Sequence, residues 1–195
     1  LRVLRYFGHI TDVQIACWRT LVLIVDAQPF MRKILMDQGG MKLTLAGLEA
    51  HRTDEAVLIQ LCIACRMLLP ATPPRPFVES SGLELLVESI NAHPKSVQLA
   101  EMAGMCLHML SGVNNIVRRM ILRMEVLTTM LTLCEAHEAS CPGASTGTSE
   151  RAWMMVTVRV AVSGLPRGEA LLSTPQAKKI LGPKSHFTDC SVVFE

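Results

Sequence analysis

AHPKSVQLAEMAGMCLHML, residues 92–110, is the stretch whose reading decides the fold. Moved back 42 places, it lands on AHRTDEAVLIQLCIACRML, residues 50–68, which opens on the same Ala-His and closes on the same Met-Leu. Another 42 back, His9-Ile10-Thr11-Asp12 falls under His51-Arg52-Thr53-Asp54. Moved forward 44, Ala136-His137 takes the place of Ala92-His93. Histidines 9, 51, 93 and 137 therefore mark a beat of about 42 residues, and a beat of that length predicts stacked helical units.

Residues 92–110 also show how such a unit is buried. Val97, Ala100, Ala103, Leu107 and Leu110 form one apolar stripe, and Leu99, Met102, Cys106 and Met109 form a second on another side. A helix apolar on two sides has to lie between neighbours. Ala100, Ala103 and Gly104 are small enough to let those neighbours come close. A single unit of this kind cannot cover its own faces, so stability has to come from stacking.

Around this stretch, apolar residues recur at three and four and alternating strand patterns are scarce. A long helix is expected over 11–27, with Thr11 and Gln14 spaced as a capping box. Pro29 suits the first turn of a short helix ending near Gln38, and Gly39-Gly40 breaks it. A medium helix over 41–50 and a long one over 53–69 follow. Four prolines within residues 70–76 should shorten the next first helix to about 77–80. Ser81 and Glu84 are spaced as a second capping box, and Pro94 suits the first turn of the long helix that ends near Ser111-Gly112. The third copy is expected to place helices over 113–123, 125–137 and 149–163, with a loop over 138–148. Beyond Gly164 the pattern thins, and 166–195 reads as an irregular or truncated end. Leu1 opens the chain with the pattern already under way by His9, which is expected of a piece of a longer array whose flanking repeats belong to the same chain.

Three features resemble the armadillo-repeat family: the unit length, a glycine ahead of the second helix (Gly40, Gly82), and a third helix carrying Val97, Gln98, Ala103, Leu107 and Leu110 at the family's spacing. In the preceding copy the resemblance runs through Val57, Leu58, Leu61, Cys65 and Leu68, the last three 42 residues back and the first two 40, and the third departs with Val126 where the glycine would stand. The resemblance covers residues 9–165. It implies an all-α, armadillo-like right-handed superhelix, an α-solenoid of about three to four three-helix repeats: a partial first repeat with its long helix at 11–27, then repeats at about 28–69, 77–112 and 113–163. Family members that take nuclear-targeting peptides carry Trp and Asn four apart on the long helices. The matching places here hold Leu21 and Val25, Ile63 and Met67, Met105 and Met109, so that specificity is not expected. Trp18 and Trp153 are expected to pack in the core or between repeats.

Chemistry-bearing clusters are few. Cys62 and Cys65 spell CxxC but sit inside the apolar run VLIQLCIACRMLL, where packing is the expected role. Cys134, His137 and Cys141 lack an evident fourth zinc ligand. The spaced histidines would lie about 10 Å apart, one helix-packing distance, too far to share a metal; each is expected to close its turn by bonding to backbone. Seven unevenly spaced cysteines suit a reducing compartment rather than a disulfide framework. A net charge of +2 argues against nucleic acid as the main partner. Arg118, Arg119 and Arg123 read as the solvated side of an amphipathic helix. No run of about 18 apolar residues predicts a membrane span, and no signal peptide is evident.

No catalytic residue, metal or cofactor is therefore expected, and the chain reads as a non-catalytic, cytoplasmic scaffold that holds protein or peptide segments. The expected partner-binding residues are polar positions of the long helices: Gln14, Arg19, Gln60, Arg66, Gln98, Glu101, His108, Arg151 and Arg159. Two other readings stand beside it: a regulatory or targeting arm of a larger enzyme, and a structural component of a cytoskeletal or ciliary assembly.

Overall fold

A computed structural model describes residues 1–72 and 74–111, with isolated positions 117, 119–121, 129 and 132 beyond them. The expected third copy, apart from those positions, and the 166–195 segment lie outside the described residues, and with them Trp153, Arg151, Arg159 and the Cys134–His137–Cys141 cluster. The described chain is all-helical, and no strand occurs among the described residues. In order come α1 (Arg2–Phe7), α2 (Thr11–Ala27), α3 (Met31–Asp37), α4 (Gly40–Ala50), α5 (Glu55–Leu68), a 3-10 turn (Leu69–Ala71), α6 (Pro74–Glu79), α7 (Gly82–Ala92) and α8 (Val97–Ser111). Short, medium and long helices thus succeed one another twice, after an initial pair.

The proline run shapes this order differently from expectation. Instead of waiting for Phe77, α6 begins at Pro74. The first turn of a helix needs no N–H partners, so Pro74 and Pro76 both fit there. Pro94 stays in the turn before α8 instead of entering it.

Helix starts are held by other residues than the two expected capping boxes. Asp54 caps α5 by accepting the Val57 N–H at 3.2 Å, and Ser96 Oγ accepts the Leu99 N–H of α8 at 3.2 Å. Thr11 and Gln14 do not cap α2; Ile10 holds the cap position, and both polar side chains bond elsewhere. Ser81 does hold the cap position of α7, yet it makes no side-chain cap bond because its backbone is left-handed, φ 55°.

Gly39, 42 residues earlier, takes the same left-handed turn at φ 81° without a Cβ penalty. A non-glycine residue held there loses about 1–2 kcal/mol. Ser81→Gly should therefore raise stability by about 0.5–1 kcal/mol once the extra chain entropy of glycine is counted. Thermal unfolding checks this as a Tm gain of about 1–4 °C.

On α8, Ala100, Ala103, Leu107 and Leu110 of the first stripe and Leu99 and Cys106 of the second are buried, while Met102 and Met109 of the second stay half-buried. The helix α5 packs against α2 on one side and α8 on the other, and rests on α4; α8 rests on α7, and α4 touches α7. Leu58, Leu61, Leu68, Leu99, Leu107 and Leu110 are among the largest fully buried side chains. Each such leucine contributes about 1.5–3 kcal/mol by leaving water. Ala100, Ala103 and Gly104 are all buried on α8, and Cys106 Sγ of that helix donates to the Cys62 carbonyl of α5 at 3.4 Å.

Candidate functional site

The long helices share a register that starts at their caps: Ile10, Asp54 and Ser96. The step from Ile10 to Asp54 is 44 residues, and from Asp54 to Ser96 it is 42. Burial agrees, because Gln14, Leu58 and Ala100 are all buried, as are Trp18, Cys62 and Gly104. His9 is therefore displaced from the histidine beat. His51 and His93 cap the C-termini of α4 and α7, whereas Gly8 caps α1 and His9, the residue after it, is exposed. The four-apart pair on α2 that corresponds to Ile63–Met67 and Met105–Met109 is Arg19–Leu23, in place of Leu21–Val25.

Between successive triplets, polar bonds gather at the corner where each long helix begins. Thr11 Oγ1 donates to Asp54 Oδ2 at 3.0 Å, and Ser96 Oγ donates to the Glu55 carboxylate. In both cases the first residue of one long helix meets the cap of the next. His51 Nε2 lies 2.7 Å from the Gly8 carbonyl, and His93 Nε2 lies 3.2 Å from the Arg52 carbonyl. A carbonyl only accepts, so the proton sits on Nε2 in each ring. These histidines thus reach back to the preceding turn rather than closing their own. Arg52 adds an exposed ion pair with Glu88 at 2.8 Å.

Gly8 is also the end of a buried polar chain. Trp18 Nε1 donates to Gln14 Oε1 at 2.8 Å, and Gln14 Nε2 donates to the Gly8 carbonyl at 2.8 Å. Trp18 is 0% exposed, in keeping with the expected packing role. Gln14, buried at 4%, satisfies it. Gln14 is accordingly an internal strut and cannot reach a partner, a correction to its expected role. Glu101 is buried as well, and leaves the partner-facing set for the same reason.

Of the remaining expected contacts, Arg19, Arg66 and Gln98 are exposed, while Gln60 and His108 are half-buried. Arg66 Nη1 lies 3.4 Å from Met105 Sδ, so its guanidinium lies over α8. Along α8, Gln98, Met102, Met105 and Met109 follow one another on one side, with Met102 and Met109 half-buried like Ile63 of α5. The methionines make an apolar strip with the amide at one end and the arginine over its middle. Flexible methionines suit such a strip to partners of varied shape.

Cys62, Cys65 and Cys106 are all 0% exposed. Burial pushes the Cys62 thiol well above its ordinary range; hydrogen bonding to Cys106 and then burial do so for Cys65. Neutral, sealed thiols are poor nucleophiles and poor ligands. Among the described residues, no group of three or more His, Cys, Asp or Glu is placed to hold a metal ion, and no helix is long and apolar enough to cross a membrane. Burial also lowers the His108 pKa below its ordinary 6.5.

Both shifts set a pH dependence. Folded thiols with raised pKa keep protons that the unfolded chain releases, so stability should fall as pH rises through and beyond the ordinary thiol value of 9.0. The lowered His108 acts oppositely, and its contribution is lost as pH falls through 6.5. Urea midpoints across pH should peak between these limits, and Cys62→Ala should flatten the alkaline limb while His108→Gln flattens the acid one.

The chain matches no family model, no curated protein and no solved structure.

Proposed function

We propose that the chain is an armadillo-like α-solenoid of three-helix repeats that serves as a non-catalytic scaffold for protein segments. The observation that carries this reading is the succession α2–α5–α8, in which each long helix packs on the last and is bonded to it at the start of the helix. Rows of long helices laid in one sense leave an extended surface rather than an enclosed pocket, and such surfaces suit chain-like partners. On this reading the partner lies across the strip of Ile63, Met102 and Met109, with Arg66 over its middle and Gln98 at one end. Affinity comes from the apolar strip, and direction from the arginine and the amide.

A random library of 15-residue peptides, displayed against the whole protein, tests this. Selected peptides should bind with Kd in the micromolar range and lose about tenfold or more when Arg66 and Gln98 are both changed to alanine. Peptides that bind equally well to that variant would remove the strip from consideration. A structural component with permanent faces is the second reading, favoured by the exposed Val3, Tyr6 and Phe7 of α1 and Phe30 and Ile34 beside and within α3.

A further inference from the structure

The three methionines on one side of α8 hold their sulfurs in different surroundings. Met102 and Met109 are half-buried, so part of each side chain meets solvent. Met105, between them, is 8% exposed, and its Sδ accepts a hydrogen bond from Arg66 Nη1 at 3.4 Å. Met41 of α4 and Met67 of α5 are each 7% exposed, and Met41 Sδ accepts from the Cys65 thiol at 3.9 Å. A thioether is oxidised through a sulfur lone pair. Burial keeps the oxidant away, and a hydrogen bond to sulfur occupies a pair that would attack it. Along α8 an open sulfur, a guarded one and another open one therefore follow at steps of three residues and four.

We propose that Met102 and Met109 are a reversible oxidation site through which peroxides release a partner from the strip, while Arg66 spares Met105. The release rests on the peptide-holding reading of the strip; the selectivity rests on the side-chain positions alone. The oxidant is hydrogen peroxide or an organic hydroperoxide. A sulfur lone pair attacks the terminal peroxide oxygen, and an S–O bond forms as the O–O bond breaks. The proton of the transferred hydroxyl passes to the leaving oxygen, which departs as water or an alcohol. Sulfur gives up two electrons and the peroxide takes them. The product is a sulfoxide, which methionine sulfoxide reductases return to the thioether. Each sulfoxide puts a hydrogen-bond acceptor where the partner's apolar side chains offer it no donor, and burying it there is unfavourable. Oxidation of Met105 would instead force a polar oxygen into the seam between α5 and α8. The guard confines the change to the surface and leaves the helix packing intact.

Hydrogen peroxide titration of the whole protein, read by peptide mass spectrometry as one added oxygen at each methionine, gives the order of reaction. Met102 and Met109 should oxidise several-fold faster than Met105, Met41 and Met67. Arg66→Ala should raise the Met105 rate several-fold and leave those of Met41 and Met67 unchanged. Far-UV circular dichroism should not change when only Met102 and Met109 have reacted. Once the peroxide is removed, peptides selected on the untreated protein should bind about tenfold or more weakly. Met102→Leu with Met109→Leu keeps the apolar bulk, so this variant should bind them before and after treatment alike. Equal rates at all five methionines, or a Met105 rate indifferent to Arg66→Ala, overturn the proposal. Peptide binding indifferent to oxidation of Met102 and Met109 removes the release and leaves the strip in place. A library that yields no peptide removes the strip and the release together, and the oxidation rates still decide the selectivity.

Discussion

Trp18→Ala should destabilise the protein by about 3–5 kcal/mol, the usual loss for a large buried aromatic. Domains of this size hold about 5–15 kcal/mol in all, so the variant should unfold at a much lower urea midpoint. Two losses combine. The indole is fully buried between α2 and its neighbours, and its removal leaves a cavity that fixed helices close only in part. The Gln14 side chain, which accepts the indole N–H at 2.8 Å, is then left buried with an unmet oxygen. Trp18→Phe separates the two: it refills most of the space but still orphans Gln14, and should cost about 1–3 kcal/mol. Equal midpoints for Trp18→Phe and the unaltered protein would show that the Gln14 bond contributes nothing.

Leu61→Ala should cost about 2–5 kcal/mol, and Gly47→Ala about 1–3 kcal/mol, by opposite mechanisms at one contact. Leu61 of α5 is 0% exposed and its methyl groups press on Gly47 of α4. A Cβ on Gly47 would lie 2.9 Å from Leu61 Cδ2, too close without displacement of the leucine. The leucine substitution leaves a void; the glycine substitution overfills the same site. Combined, they should cost about 0.5–3 kcal/mol less than their sum, because the added methyl occupies part of the vacated space. Strict additivity in urea midpoints would mean that α4 and α5 are not locked together at this point.

Much of the helical layout could be read from spacing alone. Two apolar stripes on a long helix require neighbours on both sides, and α5 has them in α2 and α8. The placement of α2 was harder to read, because the eye follows histidines while the helix follows its cap. The turn Gly8-His9-Ile10 is one residue shorter than His51–Asp54, and α1 closes on Gly8 rather than on a histidine. Together these shift α2 by two positions and move its four-apart pair to Arg19–Leu23. The partner-facing set suffered for a similar reason. Polar identity marked Gln14 and Glu101 as surface, yet a buried glutamine is at no disadvantage when an indole and a carbonyl meet its amide. The joints between triplets pair Thr11 with Asp54 and Glu55 with Ser96, 43 and 41 residues apart. A helix cap that also bonds to the previous helix is a tertiary pairing, and no local pattern announces it.

Those joints have a mechanical consequence. Oriented bonds tie successive long helices at their N-terminal ends through Thr11, Asp54, Glu55 and Ser96, and the nearby histidines His51 and His93 tie the same corner. Further along, the polar bonds thin to two that involve sulfur, Cys106 to the Cys62 carbonyl and Arg66 to Met105, and the buried remainder, Leu68 and Leu110 included, is apolar and has no preferred direction. Sliding is resisted at one end and tolerated at the other, so the helices should fan like the ribs of a hand-held fan about a riveted corner. Strain applied along the row would then be taken up as a change of spread at the free tips, with the rivets intact.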